Sequence, residues 1–323
     1  MEVSIVLITW NRAEDLRKTL SRIARYQEYF SELIVVDNGS DDNTVDVVKE
    51  EFSQARIIRL HRNTGVCEAR NIGAINASNE LVLFLDDDGF FDLSKIPLMV
   101  DQFRHNERLA VLGGKVIQIE SAEYVDIDLN LKSQDMTCGE AYNFEGGIFM
   151  IRKPIFIRVG MFPDYFFYSN EEDDLSLRLI REGYEIRRCN QAVMFHYASS
   201  KQRPSWRSTY YYYRNIHFQI WRNLPFWFAL KESILVTIGG LLRTLGGGNF
   251  WAFCRGTLAA FIRLPKVIIK ERRPLNIAQY RAYLRLRGSD YKFRNRARRL
   301  LRTCLYELLA FRRKGMDLRE LRL

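Results

Sequence analysis

Three consecutive carboxylates, Asp86, Asp87 and Asp88, follow the apolar run at residues 81–85 and precede Gly89. Such a run predicts a buried strand, and open α/β sheets bind their ligands at the carboxyl ends of strands. Adjacent carboxylates repel one another unless a cation lies among them. A hard divalent ion with oxygen ligands, itself bound to phosphate oxygens, would remove that repulsion. The alternative is an acidic turn that caps the next helix.

A second acidic cluster, residues 171–174, begins a helical pattern that ends at Gly183. The helix dipole favours acidic side chains at this position, so capping alone is one explanation. Four in succession exceed what capping needs, and a positioned carboxylate can accept a proton from a hydroxyl. The same pattern predicts that Arg178 and Arg181 lie on the exposed side of this helix.

A phosphate site is predicted in the segment 63–73. Gly65 permits a tight turn ahead of a helix, and Arg70 lies on the first turns of that helix. A helix N-terminus with a nearby cation binds phosphate well. Neither GxxxxGK[ST] nor GxGxxG occurs in the chain, so phosphate-loop and dinucleotide-binding folds lose support.

The elements that must position these residues alternate along residues 1–120. Short apolar, β-branched runs predict strands, and the stretches between them predict helices. The predicted strands are 3–9, 33–37, 56–60, 81–85, 111–117 and, further on, 148–151; the predicted helices are 13–26, 44–52, 66–77 and 93–103. This order predicts an α/β fold with a mostly parallel sheet and helices on both faces. The turns after Thr9 and Asp37 should then lie on the same edge as the acidic triplet.

Charge divides the chain into two regions. The net charge is +10, but residues 201–323 hold 27 Lys and Arg against 6 Asp and Glu, and residues 1–200 hold 22 against 33. This asymmetry predicts a catalytic domain in 1–200 and a basic helical region in 201–323. The basic region would bind a phosphate-bearing partner, either lipid headgroups or nucleic acid.

The basic region has an aromatic stripe at helical spacing, with arginines between its members: Trp206, Tyr210, Tyr213, His217 and Trp221. Beyond it, each uninterrupted apolar piece is shorter than the ~20 residues that a spanning helix needs. The composition predicts amphipathic helices in the membrane interface, attracted to anionic lipid by about 1 kcal/mol for each cation near the surface. A helical core of a soluble protein is the alternative.

The cysteines and the first residues bear on the compartment. Cys67, Cys138, Cys189, Cys254 and Cys304 form no CxxC pair and no zinc-like spacing, so we expect a reducing compartment rather than a disulfide framework. The N-terminus begins with a strand pattern and lacks the features of a signal peptide. We therefore expect a cytoplasmic protein, peripherally associated with the inner face of the cell membrane.

Taken in order, the motifs of residues 3–200 resemble the inverting nucleotide-sugar glycosyltransferases of family 2, which have the GT-A fold, and among them bacterial polysaccharide and rhamnosyl-type transferases. The matching motifs are Ser4-Ile-Val-Leu-Ile-Thr9 with Asn11-Arg12, Val35-Val-Asp-Asn-Gly-Ser-Asp41, Asn63-x-Gly65 with Ala69-Arg-Asn71, Phe84-Leu-Asp-Asp-Asp88, Gly146-Gly147, Gly160-x-Phe162, Glu171-Glu172, Asp174-Leu-x-x-Arg178, Gly183-Tyr184 and His196. Single motifs are commonplace, whereas six or more in register are specific.

The resemblance implies roles at the matching positions. Donor-binding residues would be Thr9, Asn11, Asp37, Arg70, Asp86 and Asp87. The metal, Mn²⁺ or Mg²⁺, would be bound by Asp88, Asp86 and His196, although His196 could equally be a core or loop histidine. The family usually has Glu-Asp before the last catalytic helix, and this chain has Glu171-Glu172 followed by Asp173. The general base therefore stays open among Glu172, Asp173 and Glu171, with Glu172 favoured by the alignment.

The resemblance predicts transfer of a sugar from a UDP-sugar or dTDP-sugar to a hydroxyl of a lipid-linked or surface polysaccharide acceptor, with inversion. A sugar-phosphate nucleotidyltransferase is the alternative enzyme, but residues 9–12 are not the Gly-rich, basic N-terminal loop usual in that class. A nucleic-acid-binding protein is the alternative from another class, and we expect no nucleic acid partner. A catalytically silent relative that only binds is a further possibility.

Overall fold

A computed structural model describes residues 1–119, 136–197, 204–245 and 248–289. Several predicted features lie outside these ranges: Cys304, the basic tail beyond residue 290, and part of the irregular segment that follows residue 120. The described residues form a mixed sheet, helices on both of its faces, and a group of C-terminal helices.

The sheet has the order β3-β2-β1-β4-β8-β6-β9-β5, and β7 pairs with β9. Its strands are β1 Val3–Thr9, β2 Glu32–Asp37, β3 Arg56–Arg59, β4 Leu81–Asp86, β5 Gly89–Phe91, β6 Leu109–Ile119, β7 Cys138–Glu140, β8 Ile148–Arg152 and β9 Glu185–Tyr197. The first four strands of this order run parallel, as do β6 and β9. β8 runs antiparallel to both of its neighbours.

The helices are α1 Ala13–Ile23, α2 Thr44–Glu51, α3 Val66–Asn76, α4 Ile96–Arg104, α5 Lys153–Arg158, α6 Glu171–Arg181, α7 Ser205–Asn223, α8 Phe226–Thr244, α9 Phe250–Glu271 and α10 Ile277–Ser289. Each strand and helix predicted in residues 1–120 is present within a few residues of its predicted bounds. The predicted α/β class with a C-terminal helical region is confirmed.

Alternating side chains of the buried strands form two cores, one on each face of the sheet. In β1, Ile5 and Leu7 pack in the core that includes residues of α1, whereas Val6 packs in the core that includes residues of α3. Helix α3 packs closely against β1 at Gly73, where a Cβ would lie only 2.4 Å from Val6 Cγ1. The two faces explain why the strands read as continuous apolar runs.

The strand pairing brings the predicted site residues to one edge of the sheet. Thr9 pairs with Asp37 in the ladder between β1 and β2, and Ile8 pairs with Asp86 in the ladder between β1 and β4. The turns that follow these parallel strands therefore begin at the same level. Farther along the sheet, β5 pairs with β9 so that Gly89 lies opposite His196.

The C-terminal helices pack closely against one another and against the catalytic region. A Cβ at Gly256 of α9 would lie 2.4 Å from the Tyr210 carbonyl oxygen of α7, and one at Gly240 of α8 would lie 2.5 Å from the rings of Tyr213 and Phe253. Among the described residues, none of the helices combines the length and apolarity needed to cross a bilayer. A domain boundary near residue 200 stays a prediction.

Two expectations from the sequence are wrong. Arg178 is buried, and its guanidinium donates to Asp174 and to the Val159 and Met161 carbonyls, because the turn that follows α5 covers the side of α6 that was expected to face solvent. Cys138 and Cys189 form a disulfide between paired positions of β7 and β9. Sequence spacing gave no indication of this bond because the two cysteines are 51 residues apart.

Candidate active site

A cleft of about 330 Å³ opens at the carboxyl edge of β1, β2 and β4. The exits of these three strands form part of its lining. The rest comes from helix α3 and the turn that precedes it, the Gly146-Gly147 turn, the loop that leads into α6, and the start of α7. The lining residues used below are Thr9, Trp10, Arg12, Asn38, Arg70, Asp86, Asp87, Gly146, Gly147, Phe167, Tyr168, Glu171, Glu172 and Arg207. Both acidic clusters contribute to it, as predicted.

Asp86, Asp88 and His196 each direct one possible ligand atom into a group whose atoms lie within 4.8 Å of one another. His196 Nε2 is 2.7 Å from Asp88 Oδ1 and 3.8 Å from Asp86 Oδ2. Its Nδ1 is 3.1 Å from Gln118 Oε1, which fixes the direction of the ring. Two carboxylates and one imidazole with an oriented second nitrogen suit a divalent transition-metal ion such as Mn²⁺.

Arg12 lies against the same acidic triplet. Its Nη1 is 3.3 Å from Asp87 Oδ1 and donates a hydrogen bond to Asp88 Oδ2. Burial alone would lower the pKa of Arg12, but the charges of Asp87 and Asp88 raise it above its usual range. Burial alone would raise the pKa of Asp88, and the contacts with His196 and Arg12 lower it instead. Asp88 is therefore an ionised carboxylate, as a metal ligand must be.

Arg70 connects the two acidic clusters. Its Nη2 donates to the Gly146 carbonyl at 2.8 Å and lies 3.4 Å from Asp86 Oδ1. Its Nη1 lies 3.3 Å from Glu172 Oε1 and 3.5 Å from Glu171 Oε1. The side chain is buried, so its single positive charge lies among three carboxylates in a poorly hydrated position and offsets only part of their negative charge.

The three candidate bases differ in access to the cleft. Glu172 lines the cleft, and its side chain is 20% exposed. Glu171 also lines it but is almost fully buried against Arg70. Asp173 accepts a hydrogen bond from Asn143 Nδ2 at 2.8 Å and is not part of the lining. The absence of a side chain at Gly146 makes room for Glu172, since a Cβ there would lie 1.9 Å from Glu172 Oε1.

The electrostatics of Glu172 suit proton transfer. Burial, followed by the negative charge of Glu171, raises the pKa of Glu172 to about 8, although Arg70 opposes the shift. A carboxylate with such a pKa accepts a proton far more readily than an exposed one. Asp174, two residues beyond Glu172 in the helix, has the opposite environment: Arg222 and Arg178 lower its pKa despite its burial. Asp174 thus anchors α6 and does not face the cleft.

The remaining predicted donor-binding residues lie at the strand exits. Thr9 lines the cleft. Asp37 is buried beside it and accepts a hydrogen bond from the Ser40 amide at 3.0 Å, and Asn11 Oδ1 accepts one from the Asp41 amide at 2.8 Å. Asp37 and Asn11 therefore shape the turn after β2, and the neighbouring Asn38 contributes to the lining instead.

Sequence reasoning assigned no role to several lining residues: Trp10, Asn38, Phe167, Tyr168 and Arg207. Trp10 and Asn38 directly follow predicted strands, so their position was a usable signal. Phe167 and Arg207 carried no such signal, because only the packing of α7 against the loop at 161–170 brings them to the cleft.

This loop has an unusual backbone and is secured by α7. Met161, Phe167, Ser169 and Asn170 all have φ between 50° and 77°, a region that costs non-glycine residues energy. Asn215 of α7 is fully buried, and its Nδ2 lies 2.8–2.9 Å from the carbonyl oxygens of Phe166, Tyr168 and Ser169. The amide of Asn215 thus holds the chain immediately before Glu171 and Glu172.

Residues 4–162 match the family model described as Glycosyl transferase family 2. Among curated proteins, the chain is 26% identical over 196 residues to the poly-beta-1,6-N-acetyl-D-glucosamine synthase of Staphylococcus aureus (strain COL), covering 57% of this chain and 47% of that protein. The chain thus spans about half the length of the curated relatives that it matches. The synthase of Staphylococcus epidermidis is 30% identical over 162 residues, covering 47% of this chain and 39% of that protein.

Solved structures share the fold. The mannosyltransferase PcManGT from Pyrobaculum calidifontis, in complex with GDP-Man and Mn²⁺, superposes with a TM-score of 0.53 and 15% identity, covering 93% of this chain and 84% of that one. GalNAc-T7 with UDP, GalNAc and Mn²⁺ superposes with a TM-score of 0.56 and 14% identity, covering 69% and 48% of the two chains. At these identities the superpositions establish the fold alone.

Proposed function

Because residues 4–162 belong to glycosyl transferase family 2, we propose that the protein is an inverting, metal-dependent glycosyltransferase. It transfers a sugar from a nucleotide-diphosphate sugar to a hydroxyl of a lipid-linked or surface polysaccharide acceptor. One observation carries the proposal: Asp86, which shares a possible metal site with the buried Asp88 and His196, lines the same cleft as the high-pKa carboxylate of Glu172.

The leaving-group side of the reaction is assigned to the β4 exit and β9. Asp86, Asp88 and His196 would hold Mn²⁺ or Mg²⁺, which when bound supplies positive charge to a departing diphosphate. Thr9 and Asn38 line the part of the cleft at the exits of β1 and β2, where a nucleoside would bind. The structural neighbours contain UDP or GDP-mannose with Mn²⁺, which supports a nucleotide sugar as donor. A UDP-sugar or a dTDP-sugar is our proposed donor.

The nucleophile side of the reaction is assigned to the start of α6. A sugar hydroxyl is a weak nucleophile and reacts when a positioned carboxylate accepts its proton. Glu172 Oε1 takes that role, and Arg70 and Glu171 set its position and charge. The hydroxyl attacks the anomeric carbon as the bond to the diphosphate breaks, so one displacement inverts the configuration. Glu172 retains the proton until it is lost to solvent.

The surface of α8 and α9 supports action at a membrane. Large apolar side chains are exposed along both helices, and we call them the helical apolar surface: Trp227, Leu230, Ile234, Ile238 and Leu241 of α8, and Trp251, Leu258, Ile262 and Ile269 of α9. Lys231, Arg255, Lys266 and Lys270 are exposed on the same helices. Apolar side chains flanked by cations match an anionic lipid surface. We propose peripheral binding to an anionic membrane surface.

A screen of the purified protein against a panel of sugar nucleotides tests the proposal. With Mn²⁺ present, one donor should raise the melting temperature and be slowly hydrolysed to the nucleoside diphosphate. Asp88→Ala should remove both effects at limiting Mn²⁺, whereas Asp101→Ala, a half-exposed aspartate of α4, should retain them. Full Mn²⁺-dependent activity of Asp88→Ala would contradict the metal role. Release of a nucleoside monophosphate and sugar phosphate would point to a nucleotidyltransferase.

A further inference from the structure

Arg207 lines the cleft together with Arg12 and Arg70. It lies in the first turn of α7, which contains no acidic residue. Its Cζ is 5.0 Å from the ring centroid of Phe167 and 5.9 Å from that of Trp10. Contact with two aromatic faces holds the guanidinium at the cleft and leaves its N–H groups able to donate at its edge.

The three guanidiniums of the cleft differ in their charge partners. Arg12 is paired with Asp87 and Asp88, and Arg70 lies within ion-pair distance of three carboxylates. Within the described part of the chain, Arg207 has no carboxylate at ion-pair distance. Its charge is therefore available to an anionic group of a substrate, and the planar fork of a guanidinium matches phosphate oxygens well.

The position of Arg207 favours the acceptor as the source of that phosphate. Phe167, which packs against the guanidinium, is only four residues before Glu171 and five before Glu172. Arg207 therefore lies between the exit of β1, where Trp10 follows Thr9, and the loop that leads to the candidate base. The acceptor hydroxyl must reach this base, whereas the donor diphosphate must reach the ligand atoms of the β4 exit and β9.

The start of α7 also adjoins the helical apolar surface. Ser205 Oγ donates to Asn249 Oδ1 at 3.2 Å, which joins the beginning of α7 to the beginning of α9. Trp251, two residues beyond Asn249, is 74% exposed. A headgroup at a membrane bound to this surface would meet the cleft near Arg207.

From these contacts we propose that Arg207, held between Trp10 and Phe167, binds a phosphate group of the acceptor. The acceptor class is then a phosphate-linked glycan, most simply a lipid-diphosphate-linked sugar. This inference rests on the proposed glycosyltransferase function and specifies its second substrate. The backbone N–H groups at the start of α7 would add favourable dipole interactions with the same phosphate.

Two acceptors that differ only in phosphate test the inference: a long-chain alkyl diphosphate-linked N-acetylglucosamine and the corresponding alkyl glycoside. The wild-type protein should use the diphosphate with the lower KM. Arg207→Ala should raise the KM for the diphosphate acceptor about tenfold to hundredfold, the value of a charge-assisted hydrogen bond. Its KM for the glycoside and for the donor should stay unchanged. Arg207→Lys, which keeps the charge without the fork, should give an intermediate KM.

Arg104→Ala, at an exposed arginine of α4, is the matched control and should behave as the wild type. Equal use of the two acceptors by the wild-type protein would overturn the inference. A raised donor KM in Arg207→Ala would overturn it too, because the phosphate bound would then be the donor's. A wild-type protein that cleaves no sugar nucleotide at all would instead refute the proposed function, and this inference with it.

Discussion

At the scale of single residues, the pKa of a carboxylate at this site depends on its neighbours more than on its residue type. Asp88 and Glu172 are both carboxylates with little access to solvent, yet contacts with His196 and Arg12 lower the pKa of Asp88, while partial burial and Glu171 raise that of Glu172. A lowered pKa keeps a metal ligand ionised, and a raised pKa makes a better proton acceptor. The environments thus assign different tasks to two groups with the same chemistry.

The pH dependence of kcat/KM should report the titration of Glu172. A base acts when deprotonated, so kcat/KM should rise with pH through an acid limb near the pKa of about 8. Glu171→Gln removes a negative charge that raises this pKa, so the limb should move to lower pH by on the order of one unit. The measurement is kcat/KM against pH at saturating Mn²⁺.

Two further variants complete that experiment. Glu182→Gln, at an exposed glutamate just beyond α6, should leave the limb in place. Glu172→Gln should abolish it and lower kcat by about 10²–10⁴-fold. A limb that stays at the wild-type pH in Glu171→Gln, or an active Glu172→Gln protein, would require another base.

The strands and helices position the cleft residues through two kinds of contact: some join residues close in the sequence, and others join residues far apart. The strands and helices of residues 1–120 could be predicted because their signals are local: apolar runs, helical periodicity and turn residues. The register that aligns Thr9, Asp37 and Asp86 followed from parallel pairing. The route of the loop at 161–170 could not be predicted, since its positive φ values at non-glycine residues depend on hydrogen bonds from Asn215.

The α7 helix belongs to the basic region, and it also holds the loop that precedes the candidate base. Asn215→Asp has the same shape but places an acceptor where the Phe166, Tyr168 and Ser169 carbonyls need a donor. We expect the free energy of unfolding to fall by about 1–3 kcal/mol. Because Glu172 follows this loop, kcat should fall about tenfold or more while the donor KM changes little.

Chemical denaturation and steady-state kinetics measure these two effects in Asn215→Asp. Asn276→Asp, at an exposed asparagine before α10, makes the same chemical change without the buried contacts and should match the wild type. A loss of stability with unchanged kcat and an unchanged pH profile in Asn215→Asp would mean that Asn215 only stabilises the fold and does not position the base.

On the scale of the whole molecule, the chain consists of two regions of opposite net charge. Residues 1–200 are net acidic and carry the cleft, whereas residues 201–323 are net basic. A division into two domains at this change of charge stays a prediction. The sequence did not predict that α7 would line the cleft, because that contact joins segments far apart in the chain. The basic region therefore contributes to the site as well as to the proposed membrane contact.

The proposed membrane contact predicts a specific sensitivity to charge on the helical apolar surface. Ile262 of α9 is 73% exposed, and Ile75 of α3 is 55% exposed on the catalytic domain. Vesicles containing phosphatidylglycerol should bind the wild-type protein, and binding should weaken as salt rises. Ile262→Glu should weaken binding about tenfold, since it removes one buried apolar side chain and adds a negative charge.

Ile75→Glu makes the same substitution on a surface not assigned to the membrane, and it should bind vesicles as the wild type does. Co-sedimentation gives the bound fraction, and light scattering of the protein without vesicles gives the oligomeric state. Binding that is equal for both variants would place the membrane contact elsewhere. If the wild type ignored vesicles and formed a dimer that Ile262→Glu dissociated, the helical apolar surface would be a contact between two copies of the chain. If the surface binds membranes, the difference in vesicle binding between Ile262→Glu and the wild type should depend on the lipid composition. It should not depend on the protein concentration.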